Sequence, residues 1–497
     1  MEYFQSDLFD TKVTDLMDQL RVPGLSIAVL HGNKTASKAY GVISVASNTP
    51  CTANSLFDIA SSSKILTAIS VALLVEDAKH PSVTFDTPVT QLLSDDFVLS
   101  DAEYTKSVTI DDMLSHRTGL PRQEHILPSH RLVETDETNK SSHDSSYFGV
   151  NAERPDDARS VTRNLRNLQL VAPIRSRHIY SNIMYTVATH LVETQTDMSF
   201  SDFLAARLFA PLHMSSSSLQ PSESRQRGFG ERISSGHIAG DYLKLVRALL
   251  RHQEQPITEQ VYNGVTKIRS LPNPRAAGPQ PLSSPSLYCA GLGVQYYRGH
   301  AVFGHSGGVP GFGSRFFFVP SLQLGAVLLG NAFEAATVAV HLQKALIDSI
   351  ILADAIETAE VEPVTCGPAS SSSESKAVEK EETEPQKMPL TAYTGHYWNP
   401  GYRGFHIQIR DARLFVDASD RSFSATLTLR HVSGQTNYLA YAQAADNFGG
   451  LPVDEPMRVE FVFDNDRAVK FGLILDPDLD LIWFDRVHAE ATSYVFV

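Results

Sequence analysis

The chain of 497 residues has little cysteine: Cys51, Cys289 and Cys366 are its only thiols. Three cysteines this far apart build neither a disulfide framework nor a thiolate zinc site, and they predict a reducing compartment. Long apolar runs are missing. The longest, Ile65 to Val75, is interrupted by Thr67 and Ser70 and falls short of the about 20 residues that a membrane-spanning helix needs. Met1 to Asp7 carry acids and aromatics where a secretory signal would place basic and then apolar residues, so a cytoplasmic protein is expected. Excess positive charge is also absent. With 42 Lys and Arg against 56 Asp and Glu, the formal net charge is −14, which excludes nucleic acid and an anionic membrane as main partners, since both need a phosphate-neutralising surface. The 18 histidines form no His-Glu-x-x-His and no close pair backed by carboxylates at ligand spacing, so no metal site is predicted. No cofactor motif and no internal repeat is found.

What is present describes a folded chain. Hydrophobic residues make up 42% and charged residues 20%, the balance of a globular protein, and the length exceeds what one core usually fills, so two domains are expected. Leu8, Phe9, Val13, Leu16, Met17 and Leu20 recur as one face of an amphipathic helix. Leu25 to Leu30, Gly291 to Tyr297, Ser314 to Val319 and Gly325 to Leu329 read as strands, and Val338 to Ile351 as a closing helix. The middle, Thr52 to Arg251, reads as mostly helical, with an aperiodic polar excursion from Gln123 to Asp157. Between Glu360 and Pro389 the apolar pattern gives way to serines and mixed charge, the composition of a flexible linker. Short alternating strands follow, punctuated by Gly, Asp and Asn, as in a small β-barrel or sandwich. The expected organisation is therefore a first domain over 1–360, a linker over 361–388 and an all-β domain over 389–497.

Three short patterns carry chemistry. Ser61 and Lys64 stand three apart at the start of the apolar segment, one helical turn from each other, so the amine can reach the hydroxyl. Alone the pattern is weak, because Ser373-Glu374-Ser375-Lys376 repeats it in the linker and a serine at a helix start is also an ordinary cap. Tyr180-Ser181-Asn182 offers a phenol and an amide on one side of a turn, where the phenol can act as base and then acid; Tyr397-Trp398-Asn399 has the same form. Gly304-His305-Ser306-Gly307-Gly308 places a histidine among residues small enough for close backbone approach. It also fits the nucleophile elbow Gly-x-Ser-x-Gly, with Ser306 as nucleophile, except that the helix an elbow requires is replaced by Gly and Pro.

In that order and context the chain resembles the serine β-lactamase-related superfamily, in the branch with class C β-lactamases, D-aminopeptidases, family VIII-type esterases and the lovastatin acyltransferase. Six stretches carry the resemblance over about residues 10 to 355. They are Val22 to Val29, Phe57 to Lys64 with Leu66-Thr67-Ala68, Met113 to Pro121, Tyr180-Ser181-Asn182, Gly291-Leu292-Gly293 and Gly304 to Gly308. The resemblance implies an α/β (α+β) fold with an antiparallel sheet flanked by helices and a mostly helical subdomain. It implies Ser61 as the acylated nucleophile, Lys64 and Tyr180 exchanging its proton, and Asn182 orienting the substrate, with backbone N–H groups of Ser61 and Gly308 as the oxyanion hole. His305 stands where true β-lactamases have the lysine of Lys-Thr-Gly. A mostly neutral imidazole holds a substrate carboxylate less well, which turns the expectation from antibiotics toward an ester, thioester or amide of a small molecule. Before Tyr180 the family's usual Pro-Gly is replaced by Ile174-Arg175-Ser176-Arg177-His178, whose arginines read as solvated. The region after Pro389, with Tyr393-Thr394-Gly395-His396-Tyr397, is similar to the lipocalin-like barrel appended to some relatives, which can wall a cleft or mediate self-association.

The expected activity is thus a serine hydrolase of natural-product metabolism, working without cofactor through an acyl-enzyme. An acyltransferase passing the acyl group to an alcohol, amine or thiol is the alternative. An idle scaffold or assembly protein is the alternative of another class.

Overall fold

The computed structural model describes residues 1–122, 156–219, 237–253, 255–274, 282–352, 384–421, 425–444, 456–475 and 479–487. The excursion expected over Gln123 to Asp157, all but its last two residues, and the linker over 361–383, with Cys366, lie outside them.

An eight-stranded antiparallel sheet organises the first part of the chain. Its strands are β1 (Gly24–His31), β2 (Lys34–Ser44), β3 (Thr49–Pro50), β4 (Leu287–Tyr288), β5 (Gly293–Tyr297), β6 (His300–Val309), β7 (Phe312–Val319) and β8 (Leu324–Gly330). They are ordered β3-β2-β1-β8-β7-β6-β5-β4, so the chain's early strands pair with its late ones, Ile27 lying opposite Leu328. Side chains alternate across a strand. Leu25, Ile27 and Val29 of β1 and Phe317 and Val319 of β7 enter one core, while Ala28, Leu30, Phe316 and Phe318 enter another. Both faces are buried, which is why these strands read as continuous apolar runs.

Helices α1 (Asp7–Leu20) and α7 (Ala335–Ile351) cover the first face. Helix α1 starts where Ser6 accepts a hydrogen bond from the Phe9 N–H and stops where Arg21 turns left-handed at φ 55°. The other face carries α5 (Ala239–Arg251) and the helical unit, in which α2 (Lys64–Glu76), α3 (Ile110–Leu114), α4 (Ile183–Thr196) and α6 (Glu259–Thr266) surround a shared core. Every residue of α2 from Lys64 to Leu74 is buried, as expected of a helix apolar all round. At its start Gly291, at φ +67°, lies so close that an added Cβ would be 2.7 Å from the Lys64 carbonyl oxygen. Only glycine meets both conditions.

The last eight strands form a closed barrel: β9 (Gly395–Asn399), β10 (Arg403–Arg410), β11 (Arg413–Ala418), β12 (Ala425–Ser433), β13 (Asn437–Ala444), β14 (Met457–Asp464), β15 (Arg467–Leu473) and β16 (Ile482–Val487). Each pairs with the next, and β16 closes on β9. Closure removes the exposed edges that an open sandwich would leave. Tyr397, Phe405, Phe461, Phe471 and Phe484 pack edge to face and tilted in its interior. Residues 384–388, read as linker from composition, lie along this barrel: Gln386 bonds the phenols of Tyr393 and Tyr438, and the N–H of Met388 donates to Gln435.

Candidate active site

The turn before α2 is held from several sides. Asp58 Oδ1 accepts the Ala60 N–H at 2.6 Å, fixing Ala60 at φ +44°, a conformation that non-glycine residues adopt only when their surroundings impose it. A single 3₁₀ turn, Ala60–Ser63, then leads into α2. Ser314 Oγ on β7 donates to the Ile59 carbonyl at 2.6 Å, and Ser62 Oγ reaches the His305 carbonyl on β6 at 3.2 Å. A Cβ on Gly307 would lie 2.0 Å from the Ile59 oxygen, so glycine is required where β6 passes the turn.

These contacts put Ser61 at the meeting point of three elements. Lys64 Nζ, one helical turn on, is 3.0 Å from Ser61 Oγ and 2.5 Å from Asn182 Oδ1. The Tyr180 hydroxyl donates to Ser61 Oγ at 2.8 Å. Lys64 Nζ also lies 4.8 Å from the centre of the Tyr180 ring, and the Arg122 guanidinium 5.1 Å from it. Ser61 itself caps nothing: Ser63 is the N-terminal boundary of α2, with no side-chain cap.

Tyr180 reaches the serine because two loops are tied together. Thr109 and Asp112 form a capping box at the start of α3, and the buried Asp112 carboxylate also pairs with Arg117 at 2.9 Å and Arg175 at 2.7 Å. The N–H of Arg175 donates to the Arg117 carbonyl, and that of Ile179 to the His116 carbonyl. Arg175 is therefore an anchor of the Tyr180 loop and not the freely solvated residue expected from its charge. Behind Tyr180 stands a group of rings: the His116 ring centre is 4.4 Å from that of Tyr180, and Tyr288 bridges His116 and His305. Burial holds His116 well below the usual imidazole range, with nearby His178 and Lys64 acting in the same direction. It pushes His178 down to about 4. Burial, then the Lys64 ammonium, push His305 down to about 3.

The structure thus joins Ser61, Lys64, Tyr180 and Asn182 by direct hydrogen bonds and brings His305 beside them, its ring centre 6.3 Å from that of Tyr180. Gly308 follows Gly307 in β6, one residue past the contact with the Ser61 turn, and the Phe333 ring packs on it so closely that an added Cβ would sit 2.5 Å away. Ser306 is not at a nucleophile elbow. It lies within β6, and Arg315 donates to its Oγ at 2.7 Å. The decoy Tyr397 belongs to the barrel core, its hydroxyl donating to the Tyr393 carbonyl at 2.7 Å. Asp58 entered the sequence reading only as part of the Phe57 to Lys64 stretch, with no role, and Arg122 and Tyr288 are absent from it. Asp58 carried a signal, since an acid two residues before a turn is a common turn former, but Tyr288 carried none.

An antiparallel sheet between helices, with a serine, a lysine and a tyrosine meeting at the head of its buried helix, defines an α/β serine-hydrolase architecture. The Beta-lactamase family matches residues 9–347, and a domain of unknown function (DUF3471) matches residues 379–486. The chain belongs to the Beta-lactamase family. It is 29% identical over 479 residues to an unguisins hydrolase of Aspergillus campestris, covering 86% of this chain and 82% of that one. It is 26% identical over 200 residues to a D-aminopeptidase of Brucella canis, 37% of each chain. The octameric penicillin-binding protein homologue from Pyrococcus abyssi shares the fold with a TM-score of 0.55 at 16% identity, covering 97% of this chain and 100% of that one. The D-amino acid amidase from Ochrobactrum anthropi does so with a TM-score of 0.51 at 21% identity, over 69% and 99%. The fold is the mixed α/β one expected. Among the described residues no helix is long and apolar enough to cross a membrane.

Proposed function

We propose that this member of a serine hydrolase family cleaves an ester or amide of a small molecule through an acyl-enzyme on Ser61. The observation that carries this reading is the pair of hydrogen bonds converging on Ser61 Oγ, from Lys64 at 3.0 Å and Tyr180 at 2.8 Å. Either group, as free amine or as phenolate, takes the serine proton as Oγ attacks the carbonyl carbon. The backbone N–H groups of Ser61 and Gly308 receive the developing oxyanion, each worth a few kcal/mol in a dry cleft. Tyr180 returns the proton to the departing alcohol or amine, and the same pair draws a proton from the water that releases the acyl group. Asn182, bonded to Lys64, holds the amine and faces the substrate.

Relatives named as an unguisins hydrolase and a D-aminopeptidase support water as the acceptor over an alcohol, amine or thiol. Turnover of a chromogenic ester tests the reading. The wild type should release the chromophore at a rate independent of added alcohols and amines, and Ser61→Ala should not. Turnover that needs an acceptor would make the protein an acyltransferase, and turnover unchanged in Ser61→Ala would remove the serine from the mechanism.

A further inference from the structure

Three aromatic side chains from distant parts of the chain form one hydrogen-bonded line behind the cleft. His116 Nδ1 lies 3.1 Å from the Ser181 N–H, which can only donate, so this nitrogen is bare and the proton of the neutral ring is on Nε2. That Nε2–H faces the Tyr288 hydroxyl at 3.2 Å. At the other end His305 Nδ1 is 2.6 Å from the Ser306 carbonyl, which can only accept. His305 therefore carries its proton on Nδ1, and its bare Nε2 stands 3.1 Å from the same Tyr288 hydroxyl. The arrangement that leaves no ring nitrogen without a partner has His116 Nε2–H donating to Tyr288, Tyr288 O–H to His305 Nε2 and His305 Nδ1–H to the Ser306 carbonyl, with the Tyr185 oxygen as a competing acceptor for the Tyr288 proton. Tyr185, the other phenol against Tyr288, gives its own proton to the Leu114 carbonyl at 2.7 Å.

We propose that Tyr288 is a positioning residue that, by donating to His305 Nε2, keeps the imidazole held as Nδ1–H by the Ser306 carbonyl from taking a second proton, so that this wall of the cleft selects leaving groups without a carboxylate. The choice of side follows from Tyr180, which returns the proton to the leaving group and stands beside His305. The selectivity half rests on the Ser61 acyl-enzyme reading; the tautomer half does not. The groups facing His305 agree. Lys64 from α2 and Arg315 from β7 both act on it as positive charges, and the other near rings, Tyr180 and Tyr288, bear no positive charge. The carboxylates of the surrounding loops are engaged elsewhere: Asp58 with the Ala60 N–H, Asp111 with Arg269, and Asp112 with Arg117 and Arg175. The Ser306 carbonyl, which accepts from Nδ1, favours the cation, but burial and the two positive charges outweigh it.

Histidine-selective nitrogen-15 NMR of the full chain, with His305→Gln to assign the signal, reads the tautomer directly. In the wild type His305 should remain neutral and protonated on Nδ1 from pH 8 to pH 5. In Tyr288→Phe, which keeps the ring and removes the hydroxyl, Nδ1 should stay protonated against the Ser306 carbonyl while Nε2, without its donor, takes up a proton within that range. Kinetics on two esters differing only in the leaving phenol, 4-carboxyphenyl butyrate and its carboxylate methyl ester, give the second readout. The wild type should prefer the neutral ester at every pH, whereas in Tyr288→Phe the carboxylate ester should gain up to about fivefold in relative kcat/KM as the pH falls, the size of a partly exposed ion pair. An Nε2–H or charged His305 in the wild type, or an unchanged His305 signal in Tyr288→Phe, overturns the proposal. Fluorophosphonate labelling of Ser61 in the same wild-type sample separates the two readings: without it the acyl-enzyme fails while the tautomer result still stands or falls alone.

Discussion

Among the described residues, Ser61 differs from the other serines discussed in what surrounds its oxygen. Ser306, in an equally suggestive motif, accepts a hydrogen bond from the half-buried Arg315, and Ser62, next to Ser61, is bonded into the sheet. Lys64 and Tyr180 should accordingly carry the rate. Lys64→Ala and Tyr180→Phe are each expected to lower kcat by about 10²- to 10⁴-fold, the usual contribution of a positioned proton carrier, with a much smaller change in KM. Steady-state kinetics on one ester check this, and a variant within threefold of wild type would remove that residue from proton transfer. These residues were legible in the sequence because a one-turn spacing is local and six stretches stood in family order. Tyr288 was not, since its partners lie 172 residues before and 17 after it and no spacing rule connects them.

Between the residues and the whole, the decisive units are the two loops that Asp112 ties. Its side chain is inaccessible and faces Arg117 and Arg175, which are 25% and 46% exposed. Removing a buried partner strands charge and costs about 3–5 kcal/mol in comparable settings; the exposure of both arginines places Asp112→Ala at or below the lower end of that range. The variant should lose this stability in urea unfolding and slow acylation more than it weakens substrate binding, because the Tyr180 loop loses its tether. Unchanged unfolding would show that the pair holds nothing. The strands read from sequence, Leu25 to Leu30 and Gly325 to Leu329 among them, were those buried on both faces. Strand β2 was missed because it is half exposed, with Lys34, Thr35, Ser37 and Lys38 interrupting the apolar signal. The strand that carries His305, His300 to Val309, is not among those read from the sequence, since the pairing of Gly307 with Ser314 and of Gly308 with Gly313 overrides the weak strand preference of glycine.

The molecule as a whole buries neutral imidazoles, and this sets its response to acid. His116, His178, His237 and His305 are all held below their ordinary value chiefly by burial, His237 at about 4. The unfolded chain therefore binds more protons than the folded one below about pH 6.5, so stability is full above that value and falls as the pH drops toward 4. For His237, which is 4% exposed, the loss by pH 5 is about 2 kcal/mol. Asp420, raised by burial, acts in the opposite direction. Urea unfolding at pH 7 and pH 5 should show the lower midpoint at pH 5; equal midpoints would mean that these rings charge freely in the folded state. The barrel contacts the helical unit through Asn164, whose amide donates to the Gly401 carbonyl at 2.8 Å, and through the close approach of Gly401 to Asn167. Its aromatic interior was legible only as alternating strands, because closure depends on the β9–β16 pairing of segments nearly ninety residues apart. The account depends most on a nucleophilic oxygen at one position, which intact-mass and peptide mass spectrometry after treatment with a fluorophosphonate read most directly. A single adduct on Ser61, lost in Ser61→Ala and kept in Ser306→Ala, is the predicted result; an adduct on any other serine, or none on the folded protein, would contradict it.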